Sequence, residues 1–378
     1  MSSWKVPLFK IYWDDEDIEY VAKVIKEGAN WACGASIKQF EELLAQYVGA
    51  KYCVTFNSGT SALFAALLAL DIREGDEVIV PSFTFIATAN APLFVRAKPV
   101  FADIEEETYG LDPEDVKERI SNKTRAIIPV HYGGCPCKIR ELKEVAEDYN
   151  LLLIEDAAEA FGAKVNDQKV GTFGDCAIFS FCQNKIITTG EGGAVVTDNK
   201  NLFEKLKLIR SHGRVEQAEN YFYSAKPAEY VSLGFNFRLS SMAAALGISQ
   251  LKKADKLIKM RRENANYLKL RLKELEDYIM PPEPPDGYYH VYQLFTIRAI
   301  NRDGLMSYLA NRGIMTRVYF HPVHLTYFFR NILRITCNLP VTEKVASQVL
   351  TLPMYPSLTK GDMDMIVEEI KNFYVRCF

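Results

Sequence analysis

No stretch of the 378-residue chain reaches the ~18 unbroken apolar residues that a membrane helix needs. Its first residues, MSSWKVPLFKIYWDDED, contain no apolar core of a secretory signal. A cytoplasmic protein with no membrane partner is expected. Excess charge is lacking too: 45 Lys and Arg stand against 48 Asp and Glu, a net charge of -3, which gives no footprint for nucleic acid. Histidines number five and cysteines eight, and they are scattered. Cys135 and Cys137 have no second pair at zinc-site spacing, and His321 and His324 have no acid or cysteine close by in sequence. The expectation is no bound metal and free thiols in a reducing compartment. There is no internal repeat and no low-complexity segment.

What is present centres on residues 151–197. The run LLLI ends in two acids, Glu155 and Asp156, and reads as a buried strand emptying into a polar site. A second apolar run, 177–181, carries Ser180 and is followed by Lys185, then by TTGEGG and a further strand at 194–196. A lysine between two buried strands and a glycine loop is not placed like a solvated surface lysine. An acid at a strand end, a hydroxyl on a strand and a lysine just beyond it are what pyridoxal phosphate requires. The amine bonds the cofactor, the acid keeps its pyridine nitrogen protonated, and hydroxyls with backbone amides hold its phosphate.

Upstream, YCVTF at 52–56 breaks at Asn57, Ser58 and Gly59 into an alanine- and leucine-rich helix, so free amides and hydroxyls gather at a helix N-terminus, where an anion is favoured. Ser58 or Thr60 also serves there as a plain N-cap. Strands at 76–80, 99–103, 125–130 and 151–154 alternate with helices, the pattern of a mainly parallel, doubly wound α/β sheet whose ligands sit beyond the strands' carboxyl ends. Residues 14–27 read as an amphipathic helix with Ile18, Val21 and Ile25 on its apolar face. A proline-rich break, MPPEPPDGYYH, precedes a strand at 291–300, a helix at 304–312, a strand at 315–319 and a last helix at 363–373. Two domains are expected: 1–250, large, and 251–378, a smaller α+β unit.

The segments EDAA (155–158) and FSF…K…TTGEGG (179–193) together resemble the signature of the DegT/DnrJ/EryC1/StrS nucleotide-sugar aminotransferases, and the likeness extends over nearly the whole chain. That resemblance implies the pyridoxal-phosphate fold of type I and a homodimer with shared sites. It implies Lys185 as the catalytic residue and a cofactor site of Gly59, Thr60, Phe85, Asp156, Glu159, Ser180 and Asn236. Phe83 competes with Phe85 as the ring that lies on the cofactor. Asn236, in the segment GFNFR, is implied to reach the partner's cofactor phosphate. Its neighbour Arg238 is either a substrate contact or a salt bridge. His324, in the YFHPVH loop, either lines the sugar pocket or is a satisfied structural histidine.

The implied reaction moves an amino group from glutamate to the keto group of a nucleotide-linked deoxysugar. Glu159 and Asn184 resemble the perosamine-synthase branch, which favours C4 of a GDP- or UDP-linked 4-keto-6-deoxysugar over C3 of a dTDP sugar. A dehydratase relative carries histidine in place of the lysine, and a non-enzymatic regulator would be expected to lose part of the Asp156, Ser180 and Lys185 set.

Overall fold

The computed structural model describes residues 4–215, 222 and 227–377. Most of the tyrosine-containing polar segment at 213–227 lies outside them. The chain lays down β1 (Tyr52–Phe56), β2 (Glu77–Pro81), β3 (Lys98–Ala102), β4 (Thr124–Ile127) and β5 (Leu152–Asp156). A short hairpin follows, β6 (Lys164–Val165) and β7 (Gln168–Lys169), and then β8 (Cys176–Ser180) and β9 (Gly193–Thr197). Strands β1, β2, β5, β8 and β9 are short runs buried on both faces, as strands covered by helices on each side must be.

Seven of them form one sheet in the order β1-β9-β8-β5-β4-β2-β3. Neighbours from β8 to β3 are parallel, while β9 runs antiparallel to both β1 and β8. The reversal has a local consequence. Gly193 at the start of β9 pairs with Phe56 at the end of β1 and with Ser180 at the end of β8, so three chain segments converge there. A Cβ on Gly193 would lie 2.5 Å from Ser58 O and 2.6 Å from Gly59 N. Gly193→Ala is therefore expected to push β9 against the start of the next helix and destabilise the protein by about 1–3 kcal/mol. A thermal melt checks this, and a melting temperature equal to that of the parent chain would contradict the close approach.

Helices α1 (Asp15–Glu27), α2 (Ala35–Val48), α3 (Gly59–Ala69), α4 (Ile86–Phe94), α5 (Pro113–Arg119), α6 (Ile139–Asp148) and α7 (Lys200–Arg210) belong to this lobe. Sequence dictates their depth. In α3, GTSALFAALLA has apolar residues all round and is sunk in the core, whereas α6 buries Ile139, Leu142, Val145 and Ala146 and leaves its charges outside. The first helix departs from its pattern: Asp17 and Val24 are buried, and Ile18 and Ile25 are exposed. Asp17 turns inward because Lys253 and Gln250 meet its carboxylate.

After α8 (Ser241–Lys252), the long α9 (Ala254–Leu272) passes between two hydrophobic cores. Leu257 and Ile258 pack with the large lobe, while Ala265, Leu268 and Leu272 pack with the small one. The small lobe holds a sheet of β10 (Ile279–Met280), β12 (Phe295–Ala299) and β13 (Val349–Leu352), with β11 (Tyr288–Tyr289) joining the β6-β7 hairpin instead. Its helices are α10 (Arg302–Asn311), α11 (Pro340–Gln348) and α12 (Lys360–Cys377). Val6 also packs into this second core and bridges to Ile314. The expected strand at 315–319 is absent; Ile314 and Arg317 form isolated bridges there, the latter to Thr351 at the edge of β13. A division between 250 and 251 falls in α8, ahead of the point inside α9 where the packing changes hands.

Candidate active site

The cavity at the carboxyl ends of β1, β2, β5 and β8 has a volume of about 830 Å3 and is closed on one side by the small lobe. At the end of β1 the chain turns directly into α3, with Ser58 as N-cap: its Oγ accepts the Ser61 N–H at 3.0 Å. The first helical hydrogen bond comes from Ala62 N–H to Ser58 O, which leaves the amides of Gly59 and Thr60 ahead of the ladder. Ser180, at the end of β8, abuts them; a Cβ on Gly59 would be 3.0 Å from its Cβ and 3.4 Å from its Oγ. Bare amides at a helix N-terminus beside a hydroxyl, in a gap a side chain would fill, are a cradle for a phosphate.

Asp156 closes β5 and is 6% exposed. Its Oδ2 accepts the Thr88 hydroxyl at 2.8 Å, and Thr88 in turn shares a 2.9 Å hydrogen bond with Thr84; Oδ1 accepts the Ala158 N–H at 3.2 Å. Burial pushes the Asp156 carboxyl above its ordinary range, Thr88, the Ala158 N–H and the charge of Lys185 pull it back, and Glu159 pushes it up again. A buried carboxylate so placed suits a cationic ring nitrogen. Glu155, one residue earlier, faces the other side of the strand, as the period of two demands. It accepts N–H groups of Gly171, Phe173 and Gly174 and meets His131 Nε2 at 3.0 Å, so it clamps the 170–174 loop rather than the cavity.

Lys185 is held beyond β8 by its N–H on Cys182 O, and Gln293 of the small lobe fixes the adjoining Asn184 carbonyl at 2.6 Å. Its side chain is 14% exposed, with Nζ 3.5 Å from Glu159 Oε1. Glu159 Oε2 accepts the Gly133 N–H at 2.9 Å. Phe85 is 60% exposed and lines the cavity, whereas Phe83 is 0% exposed and packs on Tyr132 and Tyr109. Of the two phenylalanines, Phe85 is the one with an exposed face in the cavity.

The structure therefore brings Gly59, Thr60, Phe85, Asp156, Glu159, Ser180 and Lys185 into one cavity. Asn236 and Arg238 are not among its lining residues; Asn236 is exposed and bridges to Ser211. His324 is likewise not among the lining residues. It is 3% exposed, its Nδ1 lies 2.6 Å from Ser82 Oγ and its Nε2 3.3 Å from Glu343, and burial lowers its pKa. His321, three residues earlier, lines the cavity instead. Sequence reasoning missed the Thr84–Thr88 pair, which joins the turn ahead of α4 to its first turn, although FTFIATAN puts the two threonines four apart.

Thr88→Val removes the hydroxyl from Asp156 and leaves a buried oxygen unpaired. Because hydrogen bonds to charged groups are worth about 1.5–3 kcal/mol, cofactor affinity is expected to fall tenfold or more. Fluorescence titration of the cofactor-free protein reads this directly, and an unchanged affinity would remove Thr88 from the site.

An anion cradle at a helix N-terminus, a buried acid and a lysine lining one cavity fit pyridoxal phosphate group by group: phosphate, ring nitrogen and aldehyde. Fold and site define a pyridoxal-phosphate-dependent aminotransferase. The chain belongs to the DegT/DnrJ/EryC1/StrS aminotransferase family, whose sequence profile matches residues 12–371. It is 36% identical over 372 residues to the GDP-perosamine synthase of Escherichia coli O157:H7, with 98% of each chain covered. It is also 36% identical over 362 residues to a "pleiotropic regulatory protein" of Geobacillus stearothermophilus, covering 95% of this chain and 94% of that one. Among solved structures, NtdA of Bacillus subtilis "with bound cofactor PMP" superposes with a TM-score of 0.86 at 30% identity, over 95% of this chain and 81% of that one. The protein is a pyridoxal-phosphate-dependent sugar aminotransferase. Among the described residues, no helix is long and apolar enough to cross a membrane.

Proposed function

We propose that this aminotransferase takes its amino group from glutamate and delivers it to C4 of a GDP- or UDP-linked 4-keto-6-deoxysugar, as a cytoplasmic homodimer. The carrying observation is Glu159, set between the Gly133 N–H and Lys185 Nζ beside Asn184. These residues resemble the perosamine-synthase branch, and the relative named GDP-perosamine synthase supports the same reading. The regulatory name of the other relative is not favoured for this chain, because Asp156, Ser180 and Lys185 are all present in one cavity. Support for a homodimer comes from Trp13, Ile18, Ile25 and Leu233, apolar yet exposed, and from the exposed Asn236.

When bound, pyridoxal phosphate would supply the electron sink and the site for the transferred amino group. The protein's part is positional and protonic. Gly59, Thr60 and Ser180 would hold the phosphate, and Asp156, anchored by Thr88, would keep a proton on the ring nitrogen. Phe85 offers its exposed face to the ring. Lys185 Nζ takes the proton from the donor's α-carbon and later returns one to the sugar carbon, and the Glu159 carboxylate beside it steadies the ammonium between those steps.

The test is the visible absorption of the purified holoprotein. Glutamate is expected to bleach its yellow band, and a GDP- or UDP-linked 4-keto-6-deoxysugar to restore it. Restoration only by a dTDP-linked 3-keto sugar would transfer the reading to C3 amination, and no bleaching with glutamate would reject the donor. Sedimentation as a single chain would reject the dimer.

A further inference from the structure

We infer that Arg317, which lines this cavity on the small-lobe side, is a second anion site and grips the diphosphate of the sugar nucleotide. The inference rests on the substrate class proposed above and goes beyond it by naming the residue that holds the nucleotide.

Charge makes the first argument. Four carboxyl groups line the cavity, Asp156, Glu159, Glu191 and Asp303, against two fixed cations, Lys185 and Arg317. A sugar nucleotide brings two further negative charges into that field. Lys185 is committed to the reaction centre, and the amides of Gly59 and Thr60 to the cofactor phosphate. Among the described lining residues this leaves one guanidinium for the substrate's diphosphate, a group whose paired oxygens match the planar fork of arginine.

Geometry makes the second. The Arg317 backbone is fixed on both sides: its N–H donates to Thr351 O at 3.2 Å and its carbonyl accepts the Thr351 N–H at 2.8 Å. Its guanidinium stands 5.0 Å from the centre of the Tyr319 ring. Tyr319 is held in turn by the Tyr132 hydroxyl on its carbonyl. Among the described residues no ion pair engages the exposed Arg317, so its guanidinium is not committed to a carboxylate of this chain. An exposed arginine on a fixed backbone, stacked on an aromatic ring at the mouth of a ligand cavity and left without a carboxylate, is organised in advance for an incoming anion.

Glutamate is also an anion, so the experiment separates the two sources. Holoprotein of the parent chain and of Arg317→Met and Arg317→Lys is titrated with GDP and with UDP by calorimetry, and each protein is separately bleached with glutamate. Expected is a ten- to hundredfold weaker nucleoside diphosphate affinity in Arg317→Met, a partial recovery in Arg317→Lys, and an unchanged glutamate concentration for half-bleaching. Unchanged GDP and UDP affinity in Arg317→Met, or a loss confined to glutamate, overturns the assignment. No binding of either diphosphate by the parent chain overturns it as well. Failure of glutamate to bleach the parent chain strikes the donor reading above and leaves the nucleotide titrations to decide Arg317.

Discussion

Lys185→Ala is expected to lower turnover by about 10³-fold or more while the protein still binds its cofactor. The magnitude follows from the two tasks lost together, covalent attachment and proton transfer. Lys185 is the one amine among the described lining residues, so nothing nearby takes over. Retention follows because the cradle at Gly59, Thr60 and Ser180 and the carboxylate of Asp156 are untouched. Borohydride reduction followed by mass spectrometry separates the outcomes: the parent chain gains a phosphopyridoxyl group at Lys185 and the variant gains none. Lys185→Arg is expected to fail equally, since a guanidinium keeps its proton at any working pH. A variant that turns over within tenfold of the parent chain would sink the assignment.

Asp156→Asn is expected to cut turnover by about 10²–10³-fold and, at neutral pH, to make the cofactor-free protein melt higher. Both effects come from the same burial. The folded-state pKa of Asp156 is raised, with desolvation the largest cause. A carboxyl shifted in that direction supports the fold fully below its unfolded pKa of ~3.9, and that support is lost as pH rises through the folded pKa. At pH 7 the empty site therefore holds a charge it would rather shed, and a ring nitrogen carrying a proton relieves it. Asparagine removes the charge, so the apoprotein gains stability, and the gain shrinks on acidification. The ring nitrogen loses its counter-charge, so catalysis collapses. Melting curves of apoprotein across pH, beside turnover of holoprotein, check the pair. A variant apoprotein that melts lower at pH 7 would contradict this account of Asp156.

Much of this site is local, and local features were legible. The cradle is one turn between β1 and α3, and the acid and the lysine lie in one continuous stretch of sequence, each at the end of an apolar run. What sequence left open was decided by tertiary packing. Phe83 and Phe85 are two residues apart and chemically identical; only the burial of Phe83 against Tyr132 and Tyr109 separates them. His324 reads from sequence as either a pocket residue or a structural histidine, and the Ser82 hydroxyl that meets its Nδ1 lies 242 residues away in sequence. The apolar face of α1 misled because a buried Asp17 is intelligible only with Lys253 beside it. Arg317 escaped notice because its meaning depends on a missing ion pair, which no linear pattern records. The reversed direction of β9 was equally hidden, since an apolar run of five has no sign.

The passage of α9 through both cores bears on the modularity of the chain. A helix whose first turns belong to one lobe and whose last turns belong to the other is a shared beam. With Val6 seated in the second core, and Val323, Phe329 and Leu339 returning to the first, the chain crosses between the lobes repeatedly. A recombinant exchange of the small lobe with that of a relative would have no single clean seam. A cut at residue 250 would strand Leu257 and Ile258 on the wrong side, and the first ten residues would have to travel with the last hundred. Substrate range in this scaffold is therefore altered more readily by point changes on the cavity wall, at positions such as Arg317, than by shuffling domains.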